Sequence, residues 1–587
     1  MRILFLTSAH NSLSQRLSIE LIERGHALRV TLATSGDYMM NSVFEHTPDL
    51  IIAPMLKIAI PEAIWARHIC LIVHPGIVGD RGPSSLDWAI MTGERTWGVT
   101  ILQASAVMDG GAIWATREFP LPEGPITKSH VYRNQVTEAA VLGVLEAVDR
   151  IGSGEPRPQT PGGVARGREQ PVMRQQDRAI AWGEDGTDII VRKIGASDSA
   201  PGVLDNLFDE PFFLYGAHAE DRLRGSPGEF LAQRDGAICR ATVDGAVWIT
   251  HLKAKAVGEY AGIKLPAVQA LGRHASCLLN SELPVDISIE HRTHREIRYV
   301  EQEAVGYLHF DFYNGAMSTG QCHRLLAALR FASRRPTRVI VLFGGRDFFS
   351  NGIHLNVIEA GDSAMESWRN INVIDDLIQE ILATSSHLVI AGMRGNAGAG
   401  GAMLAIAADF VFARPGTVIN PHYKSMGGLH GSEYWTYTLP RRVGSARAIE
   451  LTEGCRPMGA REAKSIGLID DYFGDSVASF EGAVAERARE LSLRTDFGQL
   501  LCKKRERRLS DERVKPLVQY RTEELQHMYM NFFGGDPAYH IARQQFVYKA
   551  GPVKTDKNNR QKKNADHLSW LSSLGAKSVR RGPQASP

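Results

Sequence analysis

Short apolar runs alternate with amphipathic stretches over the first 150 residues. Residues 3–6 (Ile-Leu-Phe-Leu), 27–33, 50–54 and 70–73 are too short for buried helices and read as strands. Residues 15–24 carry apolar positions at helical spacing and stop at Gly25, and Pro61 opens another helix. This alternation predicts an α/β unit with a parallel, doubly wound sheet. The loop after the first strand has no Gly-x-Gly-x-x-Gly, so the topology carries no dinucleotide signal. Residues 97–103 and 113–119 are β-rich, with Met108-Asp109-Gly110-Gly111 turning between them. Residues 128–151 place Val131, Val136, Ala139, Leu142 and Leu145 on one helical face.

The pattern changes at residue 152. Residues 152–171 are rich in Pro, Gly and Arg and predict a linker. Short strands at 189–192, 237–243 and 247–251 predict a small antiparallel barrel or sandwich. A third unit begins with β-rich residues 296–310. It continues through a strand at 339–343, a long helix at 363–382, a strand at 387–392 and a buried helix at 402–408. Residues 503–515 form a charged helix. The last segment, 549–587, has nine Lys/Arg against two Asp and little apolar periodicity, and is expected to be a solvated, disordered tail. The expected units are 1–165, 172–275, 290–548 and the tail 549–587.

Composition narrows the function classes. A chain of 587 residues exceeds one core, and 43% hydrophobic with 22% charged residues suits globular domains. A net charge of +2 argues against a nucleic-acid partner. The six cysteines are scattered and form no Cys-x-x-Cys. They suit reduced thiols in a cytoplasmic protein and give no metal signal. No apolar run reaches the roughly 18 residues of a membrane span, and residues 3–6 are too short for a signal core.

Two stretches carry chemistry. The first is Ile72-Val73-His74-Pro75-Gly76, running on to Asp80-Arg81-Gly82-Pro83-Ser84-Ser85-Leu86-Asp87-Trp88-Ala89-Ile90. It sets an imidazole where a strand ends, which is where α/β sheets place their ligands. Asp109 falls in a later turn, and a carboxylate beside a histidine is the usual preparation for acid–base work near neutral pH. The stretch resembles the 10-formyltetrahydrofolate-dependent formyltransferases, with their His-Pro…Arg-Gly…Trp-Ala-Ile signature, and residues 108–111 resemble that family's Asp-Thr-Gly turn. The likeness extends over about residues 1–270. It implies that His74 polarises or protonates the oxygen of the tetrahedral intermediate, and that Asp109 orients His74 and helps the nucleophile lose its proton. It further implies that Arg81 and Ser85 shape the folate channel. Asn11 and Gln15, at the mouth of the first sheet, are candidates to face folate or coenzyme A. One departure stands out: the family's asparagine two residues before the histidine is Ile72 here. Losing one preorganised oxyanion donor costs on the order of a hundredfold in rate. A thiol, a better nucleophile at pH 7 than a protonated amine, is therefore the favoured acceptor.

The second stretch is Gly395-Asn396-Ala397-Gly398-Ala399-Gly400-Gly401-Ala402-Met403, which enters a helix with exposed backbone N–H groups. It lacks the Gly-Lys-Ser/Thr of a phosphate loop. Together with Phe348-Phe349-Ser350-Asn351-Gly352-Ile353-His354 and residues 451–469, it resembles the crotonase (enoyl-CoA hydratase/isomerase) family over about residues 296–545. The resemblance implies an oxyanion hole, placed at the N–H groups of Asn351 and Gly400, with Gly352 and Gly401 against a bound coenzyme A thioester. The two glutamates that activate water in hydratases fall on Met403 and Tyr423. Methionine is no base and a phenol with an ordinary pKa of about 10 is a poor one. Water addition is disfavoured, and Tyr423 is left to donate or relay a proton.

The order of the two units resembles the HypX/HoxX family of hydrogenase maturation factors. That resemblance implies formyl transfer to coenzyme A and decarbonylation of formyl-CoA, supplying the carbon monoxide ligand of a [NiFe]-hydrogenase. The hydrogenase large-subunit precursor or its maturation proteins would then be the partners. Two other readings stay open on the residues: an amine or amino-sugar formyltransferase with an inactive crotonase-like unit, and a maturation scaffold without turnover.

Overall fold

The computed structural model describes residues 1–154, 158, 165–256 and 262–549. The expected tail after Lys549 and most of the first half of the expected linker lie outside the described residues.

The first unit is one sheet of β1 (Arg2–Thr7), β2 (Ala27–Leu32), β3 (Leu50–Ala53), β4 (Cys70–His74), β5 (Thr96–Gln103) and β6 (Ile113–Pro120), ordered β2-β1-β3-β4-β5-β6. β1 to β4 are parallel, as the alternation predicts, while β4–β5 and β5–β6 are antiparallel, so the whole sheet is mixed. The 104–112 connection is too short for a crossover helix, which forces β5 and β6 to pair antiparallel. The predicted helix 128–151 is one helical run, Lys128–Val131 and Thr137–Gly152 joined by a π-helical turn, Tyr132–Val136. The extra residue of a π turn rotates the apolar face. Val131 and Val136 are both buried five residues apart, and Leu142 is turned out at 56% exposure. The second half of the expected linker is not a linker. Residues 165–171 lie along the loop after β4, with Gly167 N–H donating to the Val78 carbonyl (3.0 Å) and Gln170 N–H to that of Arg81 (2.9 Å).

The middle unit is an antiparallel sheet of β7 (Val203–Leu207), β8 (Glu210–Glu220), β9 (Phe230–Arg234), β10 (Ala237–Ala241), β11 (Ala246–Ala254) and β12 (Lys264–Pro266). The strand expected at 189–192 is instead part of the helix Thr187–Ala196. Asp244 accepts from the Thr187 N–H and hydroxyl (both 2.8 Å) and fixes the helix start. Ile190 and Ile194, four apart, bury against the sheet, so packing overrides the β-branched preference.

The third unit has two sheets. One comprises β13 (Ile297–Gln302), β14 (Val305–Phe310), β15 (Val339–Phe343), β17 (Leu388–Met393), β19 (Phe410–Ala413) and β22 (Asp471–Tyr472). The other comprises β16 (Phe348–Ser350), β18 (Asn396–Gly398), β20 (Val418–Asn420) and β21 (Met458–Gly459). Because β16 and β18 are parallel neighbours, the loops that follow them emerge side by side. The helix Ser363–Ala383 covers the core, with Ile371, Ile374, Leu377 and Ile378 buried. No helix of the described residues is long and apolar enough to cross a membrane.

The first and third units are locked through Asp347. Its carboxylate accepts from His130 Nδ1 (2.7 Å), Arg133 Nη1 (3.0 Å) and Asn134 Nδ2 (2.9 Å), and all three donors sit on or beside the π turn. Burial raises the pKa of Asp347, but His130 and Arg133 reverse this and hold it at about 2. A carboxyl whose pKa falls on folding stabilises the native state above its unfolded value, and that stabilisation fades as pH falls through the folded value. Asp347 therefore contributes about 2 kcal/mol at neutral pH, lost progressively as pH falls from about 4 towards 2. In urea melts, Asp347→Asn is expected to be less stable than the wild type at pH 7, with the gap closing below pH 4. A gap that is constant with pH would refute the clamp.

Candidate active sites

The first site forms where β4 ends. His74, 4% exposed, is its last residue and pairs with Thr100 of β5. The chain then turns through Pro75 and Gly76. The Pro75 carbonyl accepts from Trp97 Nε1 (2.9 Å), and that of Gly76 from Thr100 Oγ1 (2.8 Å). The turn returns Asp80 to the imidazole, with His74 Nε2 3.0 Å from Asp80 Oδ2. Ser85, first residue of the helix Ser85–Thr92, donates to the same Asp80 oxygen. The 104–112 connection brings Asp109, at φ +51°, to the other side of the ring, with Oδ1 3.6 Å from His74 Nδ1. Asp109 Oδ2 accepts from the Gly82 N–H (3.2 Å). His74 and Asp109 thus face each other without a hydrogen bond, and Ser85 reaches the ring through Asp80. Arg81 is exposed, its backbone tied to residues 168 and 170. Ile72 is partly buried against the apolar cluster of β1 and β3, and offers no polar group where the family's asparagine would stand.

Asn11 caps the helix Ser12–Glu23, accepting from the Ser14 N–H (3.0 Å), and its amide reaches Tyr132 Oη at 3.4 Å. Gln15 donates to the His10 carbonyl (3.1 Å) and accepts from Asn420 Nδ2 of the third unit (3.4 Å). Both residues therefore already have protein partners, and Gln15 stands where the first and third units meet.

The second site lies between the loops after β16 and β18. The expected donor Asn351 is not free: its N–H is spent on the Gly315 carbonyl at 2.7 Å. That of Gly352 goes to Ser350 Oγ (3.0 Å) and that of His354 to Asn370 Oδ1 (3.1 Å). The N–H of this loop without an acceptor among the described residues is that of Ile353. In the facing loop the N–H of Gly400, first residue of the helix Gly400–Ile406, is likewise unsatisfied. Among the described residues the unsatisfied N–H groups of the two loops are thus those of Ile353 and Gly400, where Asn351 and Gly400 were expected. Gly352, at φ +74°, packs on Gly400, and a side chain there would press on the Gly400 N–H. Gly401 lies so close to the Ser350 carbonyl that no side chain fits. The glycines are thus required by the approach of the two loops.

The carboxyl missing at Met403 and Tyr423 arrives from elsewhere. Glu433, 1% exposed and at φ +64°, sets Oε1 against the Gly400 Cα, where any side chain on Gly400 would overlap it. Its Oε2 accepts from the Ser432 N–H (3.0 Å), and its own N–H donates to Asp375 Oδ1 (2.8 Å). Ser432 Oγ lies 2.8 Å from Asp375 Oδ2 and 3.3 Å from Glu524 Oε2. A hydroxyl has one proton to donate, so both bonds form only when one of these carboxyls is protonated. Burial pushes Asp375 up to about 7, and burial, then repulsion from Asp375, pushes Glu433 and Glu524 up to about 8. Burial and the neighbouring Glu433 raise the Tyr423 phenol well above its ordinary value, so it remains protonated. Its hydroxyl donates to the Ser432 carbonyl (3.3 Å). Sequence reasoning missed Asp80, Glu433 and Ile353. Asp80 stands inside the signature stretch, whereas Glu433 follows a glycine-rich loop with no periodic signal.

The chain matches the family model described as enoyl-CoA hydratase/isomerase over residues 301–532, and that of the formyl transferase C-terminal domain over residues 172–260. It is 47% identical over 561 residues to the hydrogenase maturation factor HoxX of Bradyrhizobium diazoefficiens, covering 94% of this chain and 96% of that protein. A methionyl-tRNA formyltransferase of Variovorax paradoxus is 26% identical over 211 residues, 35% of this chain and 64% of that protein. The crystal structure of HypX from Aquifex aeolicus in complex with tetrahydrofolic acid superposes with a TM-score of 0.91 at 46% identity, covering 95% of this chain and 97% of that one. With near-complete coverage at this identity, the chain belongs to the HypX/HoxX family of hydrogenase maturation factors, built from a formyltransferase-like and a crotonase-like unit.

Proposed function

We propose that the His74 site transfers the formyl group of 10-formyltetrahydrofolate to the thiol of coenzyme A, and that the Glu433 site splits the formyl thioester into carbon monoxide and free thiol. The observation that carries this reading is Glu433 against Gly400, beside two unsatisfied N–H groups. A carboxyl with a pKa near 8 is a proton acceptor matched to neutral conditions. The N–H groups of Ile353 and Gly400 would hold the thioester oxygen. Glu433 takes the formyl proton, the C–S bond breaks with its electron pair on sulfur, and carbon monoxide leaves. The proton returns to the thiolate from Glu433 or through the Tyr423 phenol, so the reaction balances without water. The tetrahydrofolate complex of the Aquifex aeolicus relative supports folate as the donor carrier. Family membership supports delivery of the product to a [NiFe]-hydrogenase precursor. The six free cysteines suit the cytoplasm.

Deoxyhaemoglobin capture tests the whole reading. Purified protein with 10-formyltetrahydrofolate is expected to yield carbon monoxide only when coenzyme A is added. Loss of formylfolate without carbon monoxide would point to another acceptor, an amine first. No change in either would make the protein a scaffold.

A further inference from the structure

We infer that Asp80, rather than Asp109, is the positioning residue that fixes His74, and that Asp109 is thereby left to receive the proton of the attacking nucleophile. This rests on the formyl-transfer reading of the first site.

The two carboxylates are not equivalent. Asp80 Oδ2 lies 3.0 Å from His74 Nε2, a hydrogen bond, whereas Asp109 Oδ1 lies 3.6 Å from Nδ1, which is too far for one. An ionised carboxylate only accepts. The hydrogen of the neutral ring therefore sits on Nε2, and the Nδ1 lone pair faces Asp109. Asp80 is held for this task. It is 2% exposed, and Ser85 donates to the same oxygen that takes the imidazole N–H. Gly76 leaves the space in which ring and carboxylate meet, since a side chain there would overlap His74 Nε2 and Asp80 Oδ2 together. Gly167, in the 165–171 segment, closes over the Asp80 backbone just as tightly. Asp109 is placed differently. One oxygen takes the Gly82 N–H, and the other faces a ring nitrogen with no proton between them.

Two facing acceptors make a place for one incoming proton. In the transfer step the thiol S–H bond breaks and its proton enters between Asp109 Oδ1 and His74 Nδ1. Sulfur attacks the formyl carbon, the C–N10 bond breaks, and N10 takes a proton back from the same place. With that proton the ring becomes an imidazolium, whose positive charge favours the developing oxyanion where Ile72 has no group to offer.

The test compares Asp80→Asn, Asp109→Asn and the double variant in the full-length protein, following 10-formyltetrahydrofolate consumption with coenzyme A. Asp80→Asn is expected to lower kcat about a hundredfold with KM for formylfolate unchanged, because the ring loses its anchor and the folate channel does not change. Because both residues touch one ring, the double variant should lose more than Asp109→Asn alone but less than the product of the two single effects. Ser85→Ala, which removes the second donor to Asp80 together with a contact to the Pro75 carbonyl (3.3 Å), should lower kcat several-fold, and serves if Asp80→Asn misfolds. Asp80→Asn or Ser85→Ala at wild-type kcat would overturn the inference, as would a double variant no worse than Asp109→Asn. A wild type that consumes no formylfolate with coenzyme A would instead strike the underlying formyl-transfer reading, before any variant is compared.

Discussion

Glu433→Gln is expected to lower carbon monoxide release from formyl-CoA by about a thousandfold, the range general-base removal commonly produces. The substitution keeps the shape of a side chain packed against Gly400 and still accepts from the Ser432 N–H. It removes the group that can take the formyl proton. The pH dependence follows from the same placement. Glu433 acts as a base and must be ionised, and burial together with Asp375 pushes it up to about 8. Release should therefore rise with pH and level off above about 8. Asp375→Asn removes a like charge and should move the levelling point down. Stopped-flow capture of carbon monoxide from synthetic formyl-CoA measures both. Wild-type release by Glu433→Gln would sink the assignment.

His74→Ala is the mirror experiment. It should lower formyl transfer from 10-formyltetrahydrofolate by about a thousandfold or more, because the acid–base group and the proton place it shares with Asp109 vanish together. Release from preformed formyl-CoA should continue, since the residues that take the formyl proton are on the third unit. Paired assays of the two variants, each with both substrates, separate the half-reactions. A His74→Ala protein that consumed formylfolate at the wild-type rate would move the chemistry away from the end of β4.

Much of this was legible in the residues. The β4 strand, the imidazole at its end and the glycine loops announce themselves through short-range patterns, because strand ends and helix starts are local events. What stayed hidden depends on contacts between distant segments. Glu433 reaches Gly400 only because its backbone adopts φ +64° in a glycine-rich loop, and no period predicts that. The free N–H of this loop lies two residues beyond the expected Asn351, since which N–H is free depends on whether the Gly315 carbonyl claims Asn351. Ile189, Ile190 and Val191 misled through their β-branching until the sheet beneath the helix was in place. Asp80 stood in plain view, yet nothing in its spacing showed that Gly76 and Gly167 press it onto His74.

Asp347 bears on how the protein can be taken apart. Among the described residues every hydrogen-bond donor to its carboxylate comes from another unit, so a separately expressed crotonase-like half would carry a naked carboxylate beneath its own glycine loop. Two polypeptides from a split gene would have to find each other at micromolar concentration, whereas one chain holds its halves at an effective concentration of roughly millimolar. Gene fission, or dissection for crystallography, therefore sacrifices the loop geometry of the second half unless residues 128–136 travel with it.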